Sequence, residues 1–214
     1  MTKGQFIYLV KTFFEGGDGG TGGGTKWHLG DIERYCEMAF SDTVEQLYRQ
    51  AIQFHDWGHI DSLVERHTKV PVSLDTDANE YYAEFPVKVI QLPENGGVRM
   101  VGNGKSQNLP FIYMVNNAEC VYDEIESFDG KGYDENTFYV EGTTIWIPKR
   151  PADKLQYINM KLIQTFDSYA ETDEVPTVFG KDGIVFRMVL ELMAGIRSAD
   201  DNNDSSSKKI MQNV

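Results

Sequence analysis

Asp173-Glu174-Val175-Pro176-Thr177-Val178-Phe179-Gly180 is the stretch on which the fold turns. Val175 precedes a proline and is therefore biased towards extended backbone, so the chain approaches the next element from a strand or loop. That element is helical by pattern. Val185, Val189, Leu192 and Ile196 recur at helical spacing with Met188 and Met193 beside them, while Arg187, Glu191 and Arg197 fall mostly on the other side. The expected helix covers 180–196. Upstream, Leu155 to Phe166 reads as one long strand. A strand, an acidic turn and a late amphipathic helix must bury their apolar faces against earlier parts of the chain. The N-terminal helices are the available partners, so Phe6, Val10, Phe40, Leu47, Val185 and Leu192 are expected to be buried together.

Thr2 and Gln5 have the spacing of a capping box, and Phe6, Val10, Phe13 and Phe14 line one side of the helix it opens. Residues 16–24 then hold seven glycines in nine positions, the composition of a flexible loop. A phosphate cradle would need a leading apolar strand and a Gly-Lys-Ser/Thr ending, and neither is present. Asp31 is predicted to open a second helix, with Ile32, Tyr35, Cys36, Ala39 and Phe40 on one face. Ser41-Asp42-Thr43 offers a fresh cap, with Glu45 three residues after Asp42. Val44, Leu47, Tyr48, Ala51 and Ile52 continue the stripe, so this segment is either a helical hairpin or one broken helix. Trp57-Gly58 reads as a turn and Ile60 to His67 as a short helical piece.

From Thr68 the period changes to two. Val70, Val72 and Leu74 alternate, Asp75 to Asn79 marks a turn, and Glu80 to Phe85 follows. Val87, Val89, Ile90 and Leu92 lead to Pro93-Glu94-Asn95-Gly96-Gly97, an Asn-Gly turn from which Val98 to Val101 is expected to return. Gly102 to Pro110 is polar, Phe111 to Val115 resembles a strand, and Ala118 to Phe128 fits either state. The clearest hairpin is Thr137 to Val140, a Glu141-Gly142 turn, and Thr143 to Ile147. The fold class is α+β: a helical bundle of N-terminal helices and a C-terminal helix, with an antiparallel β region inserted. The expected divisions are 1–67, 68–166, 167–197 and an acidic, polar tail over 198–214.

At 214 residues and net charge −13, the chain is unsuited to coating DNA or anionic membranes, although an acidic wall can guide DNA by repelling it. No apolar run reaches the roughly 18 residues of a membrane span, and Met1-Thr2-Lys3-Gly4 does not resemble a secretory signal. Cys36 and Cys120 read as buried or indifferent thiols in a reducing cytoplasm. His55-Asp56-Trp57-Gly58-His59 is the one cluster with a metal flavour. Gly58 disfavours the helix it would need, and no Glu-x-x-His pattern completes it, so a turn-capping role is expected and no metal. Acidic pairs such as Asp123-Glu124, Asp134-Glu135 and Asp173-Glu174 sit in predicted turns, where carboxylates are solvated. There is no Gly-x-Ser-x-Gly elbow, Cys-x-x-Cys pair or dinucleotide-binding glycine pattern, so neither catalysis nor a cofactor is expected.

The order of elements resembles the head-to-tail adaptor, or connector ring, proteins of tailed bacteriophages, short-tailed ones especially. The likeness extends in style to ring proteins of crAss-like gut phages. It rests on the N-terminal amphipathic helices, on Phe85 to Pro93 and the Tyr139 to Pro148 hairpin, and on the long strand leading to Asp173-Glu174-Val175-Pro176 and a closing helix. The glycine-rich loop and the acidic tail lie outside that pattern. The resemblance implies a structural virion protein at the head–tail junction, with about twelve copies closing head to tail into a ring. Its partners would be the portal protein, neighbouring copies and tail or further ring proteins, with DNA passing through the lumen without sequence-specific binding. Gly16, Gly19, Gly22, Asp173, Glu174, Val175, Pro176, Ser206, Lys208 and Ile210 are the expected contact residues. A metal-dependent hydrolase using His55, Asp56 and His59 and a monomeric interaction module are the alternatives.

Overall fold

The computed structural model describes residues 1–16, 28–103, 112–113, 137–148, 155–176 and 183–194. The chain is α+β and divides into two compact units, one of residues 1–62 and 165–214 and one of 63–164.

In the first unit, α1 (Lys3–Gly16) opens with the capping box read from the sequence. The Thr2 N–H donates to Gln5 Oε1 at 3.0 Å, and the Gln5 N–H to Thr2 Oγ1 at 3.3 Å. α2 (Leu29–Phe54) is one continuous helix, neither a hairpin nor broken. The cap signal at 41–43 is overridden because Thr43 is buried and its hydroxyl donates back to the Ala39 carbonyl at 2.7 Å. The stripe from Ile32 to Ala51 is therefore buried without interruption. α2 ends at His55, which takes the left-handed conformation (φ 54°) of a C-cap. A single turn, α3 (Gly58–Asp61), follows. The last helix among the described residues, α4, occupies 184–194. Residues 177–182 and 195–196, where the expected helix began and ended, lie outside the described residues.

Aromatic rings fill the space between these helices. Phe166, in a 3-10 turn (Phe166–Ser168), lies 6.2 Å from the Phe6 ring and 6.3 Å from Phe40. Phe186 of α4 meets Phe6 at 6.2 Å and Phe13 at 6.0 Å, edge to face. The Thr43 hydroxyl also approaches Met188 Sδ, at 3.5 Å, joining α2 to α4. Phe6, Val10, Phe40, Leu47 and Val185 are buried as expected. Leu192 is only half-buried; Val185, Phe186, Val189 and Met193 form the buried side of α4. Phe13, expected on the apolar side of α1, is 55% exposed.

Among the described residues the second unit is two sheets packed face to face. One has the order β1–β8–β4, antiparallel throughout, from β1 (Glu65–Pro71), β8 (Tyr157–Leu162) and β4 (Val98–Asn103). The other runs β2 (Ser73–Asp75), β3 (Glu80–Glu84), β7 (Thr144–Pro148), β6 (Thr137–Glu141) and β5 (Ile112–Tyr113). Only the β5–β6 pair in it is parallel. Val70, Val101, Ile158 and Met160 from the first sheet share a core with Tyr81, Phe138, Ile145 and Ile147 from the second.

Several strand expectations are corrected. Residues 65–67 belong to β1 rather than to a helix, because they continue the ladder with β8. The strand read over 155–166 is shorter, since Phe166 turns into the core of the other unit. The Asn95-Gly96 turn does not make a hairpin. Pro93–Asn95 is a 3-10 turn with Glu94 and Asn95 at positive φ, and β4 pairs with β8, far along the sequence (Val98 with Leu162, Asn103 with Ile158), instead of with 87–92. The β6–β7 hairpin is present, but Glu141 pairs with Thr144, so its two-residue loop is Gly142-Thr143. Gly142 has the φ of +60° that the first central position of such loops requires. The Asp75 to Asn79 turn stands as read, with Asp75 Oδ1 accepting from the Asp77 and Ala78 N–H groups. The Gly16 backbone ends α1. Gly19, Gly22, residues 118–128 and the tail 198–214 lie outside the described residues.

Two local devices hold the three-stranded sheet. β1 bulges between His67 and Val70, where Lys69 adopts φ 57° and its N–H is taken by the Asn159 side chain at 3.0 Å. At the other edge, Ile163 donates to the Gly97 carbonyl at 2.8 Å and accepts from Ile90 N–H at 2.9 Å. A Cβ on residue 97 would stand 2.2 Å from the Ile90 carbonyl oxygen and 2.8 Å from Val89 Cγ1. Gly97→Ala is therefore expected to cost about 1–3 kcal/mol by overpacking, measured by urea denaturation. Unchanged stability would mean that this loop can move aside.

His67 faces the core opposite Met160, and its Nε2 is buried with no hydrogen-bond partner among the described residues. Burial lowers its pKa below the ordinary 6.5, against the opposing pull of the Glu65 carboxylate. The folded protein keeps the imidazole neutral while the unfolded chain takes up a proton. Stability should therefore fall as pH drops through 6.5 towards the lowered folded value. His67→Gln should show a smaller loss between about pH 7.5 and 5.5 than the natural chain in paired denaturation curves. Identical pH slopes would remove His67 from the acid response.

Candidate functional site

The residues singled out at 173–176 form a closing turn on the first residues of the chain. Thr2 and Glu174 form an antiparallel bridge, and Val175 N–H donates to the Met1 carbonyl at 3.1 Å. Lys3 N–H donates to Asp173 O and Gly4 N–H to Glu171 O, both at 3.0 Å, so two orphan donors at the start of α1 are satisfied by this turn. Asp173 braces the turn itself, its Oδ2 accepting from Ala170 N–H at 2.8 Å. Val175 is buried and Pro176 half-buried, while Glu171, Asp173 and Glu174 are exposed. The pre-proline extension read from the sequence thus appears as one strand-like pairing. Its buried residue anchors the turn and its carboxylates face water. Ser206, Lys208 and Ile210 lie outside the described residues.

Sequence pattern missed the ion pair behind this turn. Lys3 is buried, its Nζ 2.6 Å from Glu33 Oε1 on α2 and 5.2 Å from the centre of the Phe166 ring. The pair ties α1 to α2 beneath the closing turn. Near it, burial and the Glu33 carboxylate push the Cys36 thiol up to about 12, against the opposing effect of Lys3. The thiol is protonated at neutral pH and a poor nucleophile. No hydropathy pattern signals a buried lysine two residues after the first methionine.

His55 and His59 belong to different elements. His55 sits in the left-handed cap of α2 and His59 in α3. Asp56 Oδ1 accepts from Gly58 N–H at 3.0 Å, the turn-capping role expected of this run. Among the described residues no group of three His, Cys, Asp or Glu side chains is placed to hold a metal ion. No helix among them is long and apolar enough to cross a membrane.

The second feature that sequence did not single out is the outward side of the five-stranded sheet. Register places Tyr82, Trp146 and Tyr139 side by side on three adjacent strands. Trp146 lies 5.5 Å from the Tyr82 ring and 6.4 Å from that of Tyr139, nearly parallel to the latter at 12°. The Tyr139 hydroxyl reaches Glu80 Oε2 on β3 at 2.7 Å. Tyr139 is buried, and Tyr82 and Trp146 are half-buried. The signal lay in the sequence as one such aromatic on each of three strands, but only the register aligns them. No protein-family model matches the chain, and a search of curated proteins finds no significant similarity.

Proposed function

We propose that the chain is a structural subunit of a head-to-tail connector ring of a tailed bacteriophage. In this reading it lies below the portal, joins capsid to tail and surrounds part of the DNA ejection channel. The observation that carries this reading is the closure of the helical unit. After the β unit the chain returns through Asp173-Glu174-Val175-Pro176 to pair with residues 1–4, and α4 follows, its Phe186 packing on α1. That is the element order on which the resemblance to connector proteins rests. The net charge of −13 supports it, since an acidic lumen repels phosphates and leaves duplex DNA free to slide. The portal, like copies in a ring, and tail or further ring proteins are its partners, and the protein works in the virion without catalysis.

Electron microscopy of the purified protein, alone and mixed with the portal of the same virus, tests this. Rings on the portal are the expected result. A folded monomer that never binds a portal or tail protein overturns the reading. Deletion of 198–214 should leave the protein folded and impair incorporation into particles. Normal incorporation would take the tail out of the mechanism.

A further inference from the structure

The two outward faces of the 63–164 unit carry opposite charge. On the five-stranded sheet, the positions that share the side of Tyr82 and Trp146 include Asp75, Glu80, Glu84 and Glu141. No lysine or arginine occupies that side among the described residues. Glu84 and Glu141 are exposed, at the end of the aromatic row opposite Asp75 and Glu80. On the outward side of the three-stranded sheet, Arg66, Lys161 and Met100 stand in register, with Pro71 opposite Tyr157. Arg66 and Lys161 are exposed, Lys69 is exposed in the adjoining bulge, and Tyr157 is 49% exposed. No carboxylate occupies a ladder position on that side among the described residues.

We propose that these two faces are the two halves of one contact between copies of this chain, the basic face of each copy seated on the acid-flanked aromatic face of the next. The inference rests on the ring reading above and assigns its subunit contact. Tyr157, Pro71 and Met100 supply apolar area against Tyr82 and Trp146, and the cations of Arg66 and Lys161 suit both the ring faces and the carboxylates around them. Charge selects the arrangement. Two acidic faces repel each other, as do two basic ones, so symmetrical pairing is disfavoured and the contact is heterologous. A heterologous contact propagates from copy to copy and closes into a ring when its rotation closes.

The test is sedimentation of the full chain at low and high ionic strength, with two charge-reversed variants. R66E/K161E reverses the basic face and E84K/E141K the acidic one, all four at exposed positions. The natural chain is expected to self-associate in a salt-sensitive way, and each variant alone about tenfold or more weakly. An equimolar mixture of the two variants is expected to regain association, because each then meets a complementary face; that recovery also shows both variants to be folded. Natural-strength association by either variant alone, or a mixture that recovers nothing, overturns the contact and leaves the ring reading standing. A natural chain that stays monomeric at low ionic strength up to about 1 mM also overturns it. The ring reading is then decided by the portal experiment alone.

Discussion

Phe166→Ala is expected to remove about 3–5 kcal/mol of stability from the helical unit. The ring is fully buried and touches three things at once: the Phe6 ring on α1, the Phe40 ring on α2 and the ammonium of Lys3. Truncation leaves a cavity that rigid helices cannot close, and it strips the buried Lys3 of its aromatic neighbour while Glu33 remains its ionic partner. The loss should be local. Trp57 lies 5.8 Å from Tyr48 in the helical unit, and Trp146 lies between Tyr82 and Tyr139 in the β unit. Chains keeping one or the other as sole tryptophan report on each unit separately in urea. The Trp57 transition should move to lower urea by far more than the Trp146 transition. A shift below about 1 kcal/mol at Trp57 would mean that the cluster repacks around the gap.

The parts of this fold legible in the sequence are those decided by neighbours along the chain. The Thr2–Gln5 capping box, the Asp75 turn and the β6–β7 hairpin each depend on residues within a few positions of one another. The errors come where a distant partner outbid a local signal. Ser41-Asp42-Thr43 is a fair cap, yet Thr43 stays helical because its buried side chain meets Met188 and the Ala39 carbonyl. Asn95-Gly96 is a fair hairpin turn, yet β4 finds β8 because Ile163 holds both Ile90 and Gly97. The same split runs through the candidate site. The extended approach to Pro176 was readable from one dipeptide, whereas the Lys3–Glu33 pair and the aromatic row of the β unit exist only once helices pack and strands register.

The buried face of α4 gives the last expectation. Hydropathy spacing nominated Val185, Val189, Leu192 and Ile196, but a stripe of Val185 and Val189 with Phe186 and Met193 fits a helix as well, because a helix repeat does not fix where the apolar stripe is centred. The partner fixes it. Phe6 and Phe13 meet Phe186 in T-shaped contacts, and the helix is turned so that Val185, Phe186, Val189 and Met193 are buried and Leu192 sits at the margin. Met193→Ala is therefore expected to cost about 2–5 kcal/mol, the range for a fully buried methionine. Leu192→Ala should cost clearly less, since part of its side chain already meets water and leaves a smaller cavity. Urea titration of the two variants, followed at Trp57, ranks them directly. If Leu192→Ala were the more damaging, α4 would present the face that spacing alone nominated, and the Phe186 contacts would not be what orients it.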